Sequence, residues 1–238
     1  METTIKLGEI TADVVMKDIK NVHLSVYPPT GHVRISAPVR MSLENVRAYA
    51  VTKLEWIKSQ QVKLRSQERV MPRDYVSGES HFLWGKRYLL KVVETEAPPM
   101  VTLRSRHIEL RVRPGTAAER RGEIVETWLR SQLKAAIPTM IQKWQPKLGV
   151  EVRQFHVQRM KTKWGSCSPD RYAIRLNNEL AQKPIECLEY IVVHEMVHLL
   201  EPTHNSRFVT LMSGFMPKWK FFRDELNRLP VRHEDWKY

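Results

Sequence analysis

The residues with the clearest chemical potential are His194-Glu195-Met196-Val197-His198, where two histidines stand four positions apart and a glutamate follows the first. In an α-helix, side chains four positions apart project from one face about one turn apart, so both imidazoles can reach a single metal ion. Glu195 is placed to act as a general base on a metal-bound water without itself binding the metal. The spacing therefore predicts metal-assisted hydrolysis with Glu195 as the catalytic residue.

A catalytic Zn²⁺ takes three protein ligands and keeps a fourth position open. His204 is the preferred third ligand, because it lies just beyond Pro202, which should help to end the helix and let the chain turn back. Glu225 and, less favourably, Glu201 are alternatives, since some zincins take a glutamate from a later segment. The expected zinc ligands are His194, His198 and His204.

The helix that carries the two histidines is predicted to run from Pro184 to about Leu200 and is apolar on nearly every side. Such a helix should be buried. Two histidines and a glutamate in a buried helix are costly unless they are paired or bound to a metal. The surroundings therefore favour a metal site over a chance occurrence of the pattern.

The segment 159–168 precedes this helix and is a candidate for the edge of a substrate cleft, because zincins bind extended substrates along an edge strand. Gly165 and Ser166 would permit close backbone approach, and Arg159 or Lys163 could bind a carboxylate or phosphate. Trp164, taken alone, is explained more simply as a core side chain. The expected substrate-binding residues are Arg159, Trp164, Gly165 and Ser166.

Alternating apolar and polar residues in the first forty positions predict short antiparallel strands, with a turn at Pro28-Pro29-Thr30-Gly31. Helical spacing follows over 42–66, where Ser42 could cap one long helix. A second group of strands is expected over 81–112. A helix over 117–144 should then be kinked or split by Pro138, with Gly149 as its end.

These elements predict an α+β fold, with a strand-rich N-terminal half followed by a zincin-like core that contains the metal-binding helix. The expected domains are 1–115, strand-rich with one long helix, and 116–238, the catalytic core. No internal repeat is evident in the sequence.

The formal net charge of +13 would attract polyanions, so nucleic acid is a candidate partner, although no nucleic-acid-binding motif accompanies the charge. Cys167 and Cys187 are expected to be free thiols, because a secreted disulfide framework normally has more cysteines. Nothing near Met1 resembles a signal peptide and no apolar run approaches the roughly 20 residues of a membrane span. We therefore expect a cytoplasmic protein with no membrane association; its oligomeric state is left open.

Several motifs together resemble the YgjP-type (YgjP/WLM-like) metallopeptidases. They are Arg159, Trp164-Gly165-Ser166-Cys167, Leu176-Asn177, His194 to His198, His204, Phe208 and Met216-Pro217-Lys218-Trp219. The strands of the N-terminal half, Trp56-Ile57 and Gly85-Lys86-Arg87-Tyr88 also resemble this family, so the likeness covers nearly the whole chain. The ligand spacing also matches that of metzincins, but Glu201 replaces their turn glycine, so we do not assign the chain to that group.

The resemblance implies a zincin-like core that hydrolyses peptide bonds in peptide or protein substrates, with SprT-type proteases as more distant relatives. In the expected mechanism, zinc lowers the pKa of its bound water, Glu195 takes the proton, and the same residue later delivers it to the leaving amine.

Two rival functions differ in substrate or in class. The first is a metal-dependent nucleotide (UTP) pyrophosphatase, an activity also attributed to this family, although the sequence has no glycine-rich phosphate loop. The second is a basic nucleic-acid-associated protein with a structural metal, which would normally take four protein ligands where only three are apparent.

Overall fold

A computed structural model describes residues 2–27, 30–66, 69–70, 73–160, 163–229 and 231–232. The described chain forms two compact units. The first takes its residues from 2–70 and 231–232, and the second from 73–229.

The first unit contains a four-stranded sheet followed by two helices. Its strands are β1 (Glu2–Leu7), β2 (Ile10–Lys17), β3 (His23–Tyr27) and β4 (His32–Pro38), in the order β1-β2-β4-β3. The helices are α1 (Leu43–Thr52) and α2 (Leu54–Ser66), and a two-residue strand, β5 (Arg69–Val70), pairs with residues 231–232. Of the turn expected before β4, Pro28 and Pro29 lie outside the described residues, and the Gly31 amide donates to the Tyr27 carbonyl at 2.9 Å.

The prediction of one long helix over 42–66 is wrong, because the helix is interrupted at Lys53. The cap is confirmed, since the Ser42 side chain accepts a hydrogen bond from the Asn45 amide at 3.3 Å. Near the break, the Thr52 hydroxyl donates to the Tyr49 carbonyl at 2.7 Å. A hydroxyl that bonds to the backbone in this way competes with the helical ladder, which gives a local reason for the interruption.

The second unit begins with another four-stranded sheet. Its strands are β6 (Ser80–Leu83), β7 (Lys86–Glu94), β8 (Met100–Leu103) and β9 (His107–Val112), in the order β6-β7-β9-β8. Both four-stranded sheets place two antiparallel hairpins side by side, with the second and fourth strands parallel. The expectation that the strands of the first forty residues are antiparallel is confirmed for β1–β2 and β3–β4 and is wrong for β2–β4. The strand order repeats where the sequence shows no repeat.

Helix α3 (Ala118–Leu148) follows and is continuous through Pro138, so the expected split does not occur. Its buried face includes Val125, Leu129, Leu133 and Ile137, at intervals of four residues. Burial of this face stabilises the helix across the proline, which removes one backbone hydrogen bond. Gly149 ends the helix as predicted, in a left-handed conformation with φ of 66°.

The rest of the second unit holds a three-stranded sheet and three helices. The strands are β10 (Gln154–Gln158), β11 (Gly165–Ser168) and β12 (Ala173–Asn177), in the order β10-β12-β11, so β11 forms an edge. The helices are α4 (Ile185–Val197), α5 (Ser206–Phe215) and α6 (Trp219–Arg228), and the last strand, β13 (Val231–Arg232), belongs to the first unit.

Each unit has its own hydrophobic core. The core of the second unit is one cluster that joins Leu90 and Leu110 of its first sheet to Leu133 of α3 and Val192 of α4. The domain boundary expected between residues 115 and 116 therefore lies inside this unit. Among the described residues, no helix combines the length and apolar character that crossing a bilayer requires.

Candidate metal centre

Helix α4 brings His194, Glu195 and His198 to one end of a buried helix. Val192, Val193, Met196 and Val197 are all fully buried and fix the helix within the core. The helix ends at Val197, slightly before the expected Leu200, and His198 is its C-terminal cap with φ of −65° and ψ of −15°. His198 therefore keeps a helical backbone, and its side chain stays one turn from His194.

A short, well-bonded turn positions His204. The Thr203 hydroxyl and amide donate to the Glu201 carboxylate at 2.9 and 3.3 Å. On the other side of His204, the Asn205 side chain accepts from the Phe208 amide at 3.0 Å and caps α5. The turn thus connects two helix ends, and His204 lies between two fixed points.

The three imidazoles converge through the same atom. His204 Nε2 lies 3.0 Å from His194 Nε2 and 3.1 Å from His198 Nε2. Phe208 is buried beneath all three rings, with centroid distances of 4.9, 4.7 and 4.8 Å to His194, His198 and His204. Among the side chains that the structure describes, these three histidines are the group that could hold a metal ion.

The convergence fits the donor set of zinc. Two zinc–nitrogen bonds of about 2.0–2.1 Å at a tetrahedral angle place their nitrogens roughly 3.3 Å apart, close to the separations observed. His198 Nδ1 lies 3.0 Å from the Glu201 carbonyl oxygen, which only accepts, so this nitrogen carries the proton. The neutral imidazole then directs the lone pair of Nε2 into the cluster, as a metal ligand must.

Electrostatics favour neutral imidazoles in the cluster. Burial, together with the neighbouring His198 and His204, lowers the pKa of His194 to about 3. Burial and His198 also lower the pKa of His204. Because a histidine must be unprotonated to bind a metal, both shifts favour ligation near neutral pH.

The two alternative ligands lie elsewhere. A carboxylate oxygen of Glu225 is 3.9 Å from Cys187 Sγ in the first turn of α4, seven residues before His194 and so roughly 10 Å away along the helix. The Glu201 carboxylate bonds to Thr203, and these bonds lower its pKa. Neither glutamate belongs to the group of converging ligand atoms.

Glu195 lies beside the cluster with 4% of its surface exposed. Burial raises the pKa of its carboxyl group to about 8, and the positive charge of Lys163 opposes that rise. A further positive charge close by would also favour the ionised form, which is the form a base requires.

A cleft of about 620 Å³ opens beside the three histidines and Glu195. Trp164, Gly165 and Ser166, three of the four residues expected to bind substrate, line it. Arg159, the fourth, follows β10 and is not among the described residues that line the cleft. Lys163, the alternative cation, does line it.

Sequence reasoning missed three further lining residues of the cleft, which are Tyr190 of α4 and the α6 wall formed by Arg223 and Asn227. Tyr190 stands four positions before His194, so helical spacing could have indicated it. The two residues of α6 carried no such signal, because only the tertiary fold brings that helix to the cleft.

Both cysteines are free, as predicted, although only Cys187 is fully buried. Cys167 is half-buried on β11 and lines the cleft. Burial and the neighbouring Glu195 raise the pKa of its thiol to about 12, which makes it a poor nucleophile at neutral pH.

Comparisons with known proteins give one family and partial likenesses to solved structures, of which two are described. No curated protein matches the chain. The crystal structure of the metallopeptidase zymogen abylysin from Pyrococcus abyssi is 22% identical, with a TM-score of 0.36, over 40% of this chain and 99% of abylysin. The zymogen jannalysin from Methanocaldococcus jannaschii is 21% identical, with a TM-score of 0.34, over 38% of this chain and 92% of jannalysin. The family described as YgjP-like, metallopeptidase domain, matches residues 20–229, and the chain therefore belongs to the YgjP-like metallopeptidase family.

Proposed function

We propose that this protein is a zinc-dependent metallopeptidase that hydrolyses peptide bonds with water as the nucleophile. The observation that carries the proposal is the convergence of three histidine Nε2 atoms, at 3.0 and 3.1 Å, beside the buried carboxyl group of Glu195. The proposed centre and its cleft lie within residues 116–238, the segment we propose as the catalytic core.

His194, His198 and His204 would hold the metal. Nitrogen ligands of this type suit zinc, whereas an oxygen-rich set would suit magnesium or calcium. Zinc bound there supplies a positive charge that lowers the pKa of a coordinated water and polarises a carbonyl group. Three protein ligands leave one position open for this chemistry.

Glu195 is the proposed general base. Its carboxylate takes a proton from the attacking water, and the same group then donates that proton to the nitrogen of the leaving amine. Its place on α4, most of whose residues are buried, fixes the backbone that carries the carboxyl group beside His194. The burial that keeps bulk water away also strengthens its electrostatic interactions.

The edge strand β11 is the proposed binding surface for the substrate backbone. One side of β11 pairs with β12, and the sheet ends at β11. An extended peptide can add to such an edge through main-chain hydrogen bonds. Gly165 and Ser166 would then bind the peptide backbone, and Trp164 and Lys163 would contact its side chains.

The substitution Glu195→Gln tests the base directly. The variant should bind zinc with unchanged stoichiometry and lose peptide hydrolysis by about 10²–10⁴-fold, because the amide cannot accept the proton. Zinc content by elemental analysis and cleavage of fluorescently labelled casein by zinc-loaded protein provide the two measurements. Undiminished cleavage by the variant would remove Glu195 from the mechanism.

The same preparations separate peptide from nucleotide chemistry. One combination of results would change the proposed substrate from a peptide to a nucleotide. In that combination, zinc-loaded wild-type protein releases pyrophosphate from UTP, the Glu195→Gln variant releases none, and neither protein cleaves casein.

The substitution His204→Ala tests the third ligand, with Glu225→Ala as the matched control at the rival position. We expect His204→Ala to lose stoichiometric zinc and Glu225→Ala to retain it, because only His204 lies within ligand distance of the other histidines. Dialysis against a zinc buffer followed by elemental analysis measures both. The reverse pattern would make Glu225 the ligand.

A further inference from the structure

We propose that Gly165 is a positioning residue for the general base, because the space where a side chain would stand is filled by the carboxyl group of Glu195. The inference rests on the proposed role of Glu195 and gives position 165 a function beyond binding the substrate backbone. It concerns where the carboxyl group is held, rather than how the metal is bound.

The distances at position 165 leave no room for a side chain. A Cβ atom built on Gly165 would lie 2.5 Å from Glu195 Oε1, 2.8 Å from its Cγ and 2.9 Å from its Cδ. Contacts this short require one of the two groups to move. The neighbouring atoms are the reacting end of the base itself, so any movement changes the site directly.

Backbone conformation does not explain the glycine. Gly165 is absent from the described residues with positive φ, and it begins a regular strand in which it pairs with Leu176. A glycine inside a strand costs conformational entropy and removes a packing side chain. The close approach to Glu195 is the feature of the structure that accounts for a glycine at this position.

The strand cannot readily retreat from the base. The Trp164 carbonyl accepts from the Asn177 amide at 2.9 Å, and the Asn177 side chain donates to the carbonyls of Lys163 and Met160 at 2.9 and 2.7 Å. These three bonds anchor Trp164, Lys163 and Met160, which precede Gly165, to the last residue of β12. β12 therefore holds this backbone twice, through the pairing of β11 and through Asn177.

Helix α4 is equally constrained on its own side. Val192 and Met196, which flank Glu195 along the helix, are fully buried. A methyl group at position 165 should therefore rotate the Glu195 side chain away instead of separating the two elements. Displacement of a catalytic group by about 1 Å can cost on the order of 10²-fold in rate.

The experiment compares Gly165→Ala with Gly214→Ala in zinc-loaded, full-length protein. Gly214 lies in α5, its φ is not positive, and a Cβ there would meet no atom within 4 Å, so it is a matched control. We expect Gly165→Ala to lower kcat by about 10²-fold, with little change in KM or zinc content. Gly214→Ala should retain wild-type kcat. Equal kcat for the two variants, or loss of zinc from Gly165→Ala, would overturn the inference.

A double-mutant cycle with Glu195→Ala distinguishes positioning from a general structural effect. Alanine at position 195 lacks the Cγ, Cδ and Oε1 atoms that a Cβ at position 165 would meet, so the cost of Gly165→Ala in residual kcat should be clearly smaller in that background. An identical cost in both backgrounds would show that the alanine at position 165 acts elsewhere.

Crystal structures of zinc-loaded wild-type and Gly165→Ala protein provide the measurement that does not depend on activity. The inference requires a displaced Glu195 carboxyl group in the variant, and an unmoved one would refute it. If the wild-type protein hydrolyses no peptide, the proposed function fails, and the two structures still decide whether position 165 controls the carboxyl group.

Discussion

Lys183 is a buried lysine of the second unit that lies close to the cleft, with 7% of its surface exposed. Its Nζ lies 5.7 Å from the centre of the Trp164 ring, so the charged group is stabilised in part by the aromatic face. Burial nevertheless lowers the pKa of Lys183 to about 8, and the negative charge of Glu179 opposes this shift only in part.

The substitution Lys183→Met should therefore have an effect on stability that depends on pH. Below pH 8 the amine is charged in both states, and its burial lowers the free energy of unfolding. Between pH 8 and 10.5 the folded protein has released the proton while the unfolded chain retains it. Wild-type stability should then rise with pH by on the order of 3 kcal/mol, relative to the variant.

Urea unfolding at pH 7.5 and pH 10 measures this difference. Lys86→Met, at an exposed lysine of β7, controls for the loss of one positive charge. A stability difference between wild type and Lys183→Met that stays constant across the two pH values would contradict the interpretation.

The site residues divide into those that local spacing could reveal and those that it could not. His194, Glu195 and His198 follow from the helical repeat, and Pro202 indicated the turn that holds His204. The contact between Glu195 and Gly165 joins residues that are 30 positions apart in the sequence. No local sequence pattern predicts such a contact. The same reason explains why the α6 wall of the cleft was missed.

At the scale of elements, the ends of helices determine the candidate centre. Helix α4 stops at Val197, and α5 starts at Ser206, with His204 in the turn between them. Asn205 bonds in both directions, accepting from the Phe208 amide at 3.0 Å and donating to Thr203 Oγ1 at 3.1 Å. The cap of α5 and the turn that positions His204 therefore depend on the same residue, Asn205.

We predict that Asn205→Ala will lower the free energy of unfolding by about 1 kcal/mol and also weaken zinc binding, because it removes the cap next to His204. Ser42→Ala removes the corresponding cap of α1 and should cost a similar amount while zinc affinity stays unchanged. Thermal melts and competition with a chromogenic zinc chelator measure the two effects. Equal zinc affinity in Asn205→Ala and wild type would separate the cap from the metal centre.

The sequence predicted whether a segment is a helix or a strand more often than it predicted the length of a helix or the pairing of a strand. Alternation indicates a strand but not the direction of its neighbour, so the parallel pairs β2–β4 and β7–β9 could not be foreseen. Local sequence did not locate the break at Lys53, and it did not show that α3 runs unbroken through Pro138, because the buried face of α3 is a tertiary contribution.

On the scale of the whole molecule, the described chain has two hydrophobic cores that share no residue. The four-stranded sheets of the two units have the same strand order, and each is followed by helices that pack against its apolar face. Sequence patterning showed one strand-rich half, since alternation cannot tell which strands share a core. The second unit, in contrast to the first, also contains the candidate metal centre and its cleft.

Substitutions that create a cavity in either core should lower stability, but only a cavity in the second core should also affect zinc binding. Ile35→Ala in the first core and Leu133→Ala in the second should each cost about 2–5 kcal/mol, because both side chains are fully buried. Only Leu133→Ala should reduce the temperature up to which zinc stays bound. Calorimetry with and without excess zinc measures how far zinc raises the unfolding temperature of each variant. If Ile35→Ala lost this zinc-dependent increase, the prediction would be wrong.

The three converging nitrogens come from residues 194–204, a stretch of eleven positions. Bringing His204 to His198 closes a loop of only a few residues, so the loss of chain entropy is small. Glu195, the proposed base, acquires its surroundings by comparison only after β11 has paired with β12 and reached α4. During folding, a metal ion would therefore be captured by a nearly local segment before the carboxyl group of Glu195 is in place. Metal binding and catalytic competence would then arise at different stages of folding.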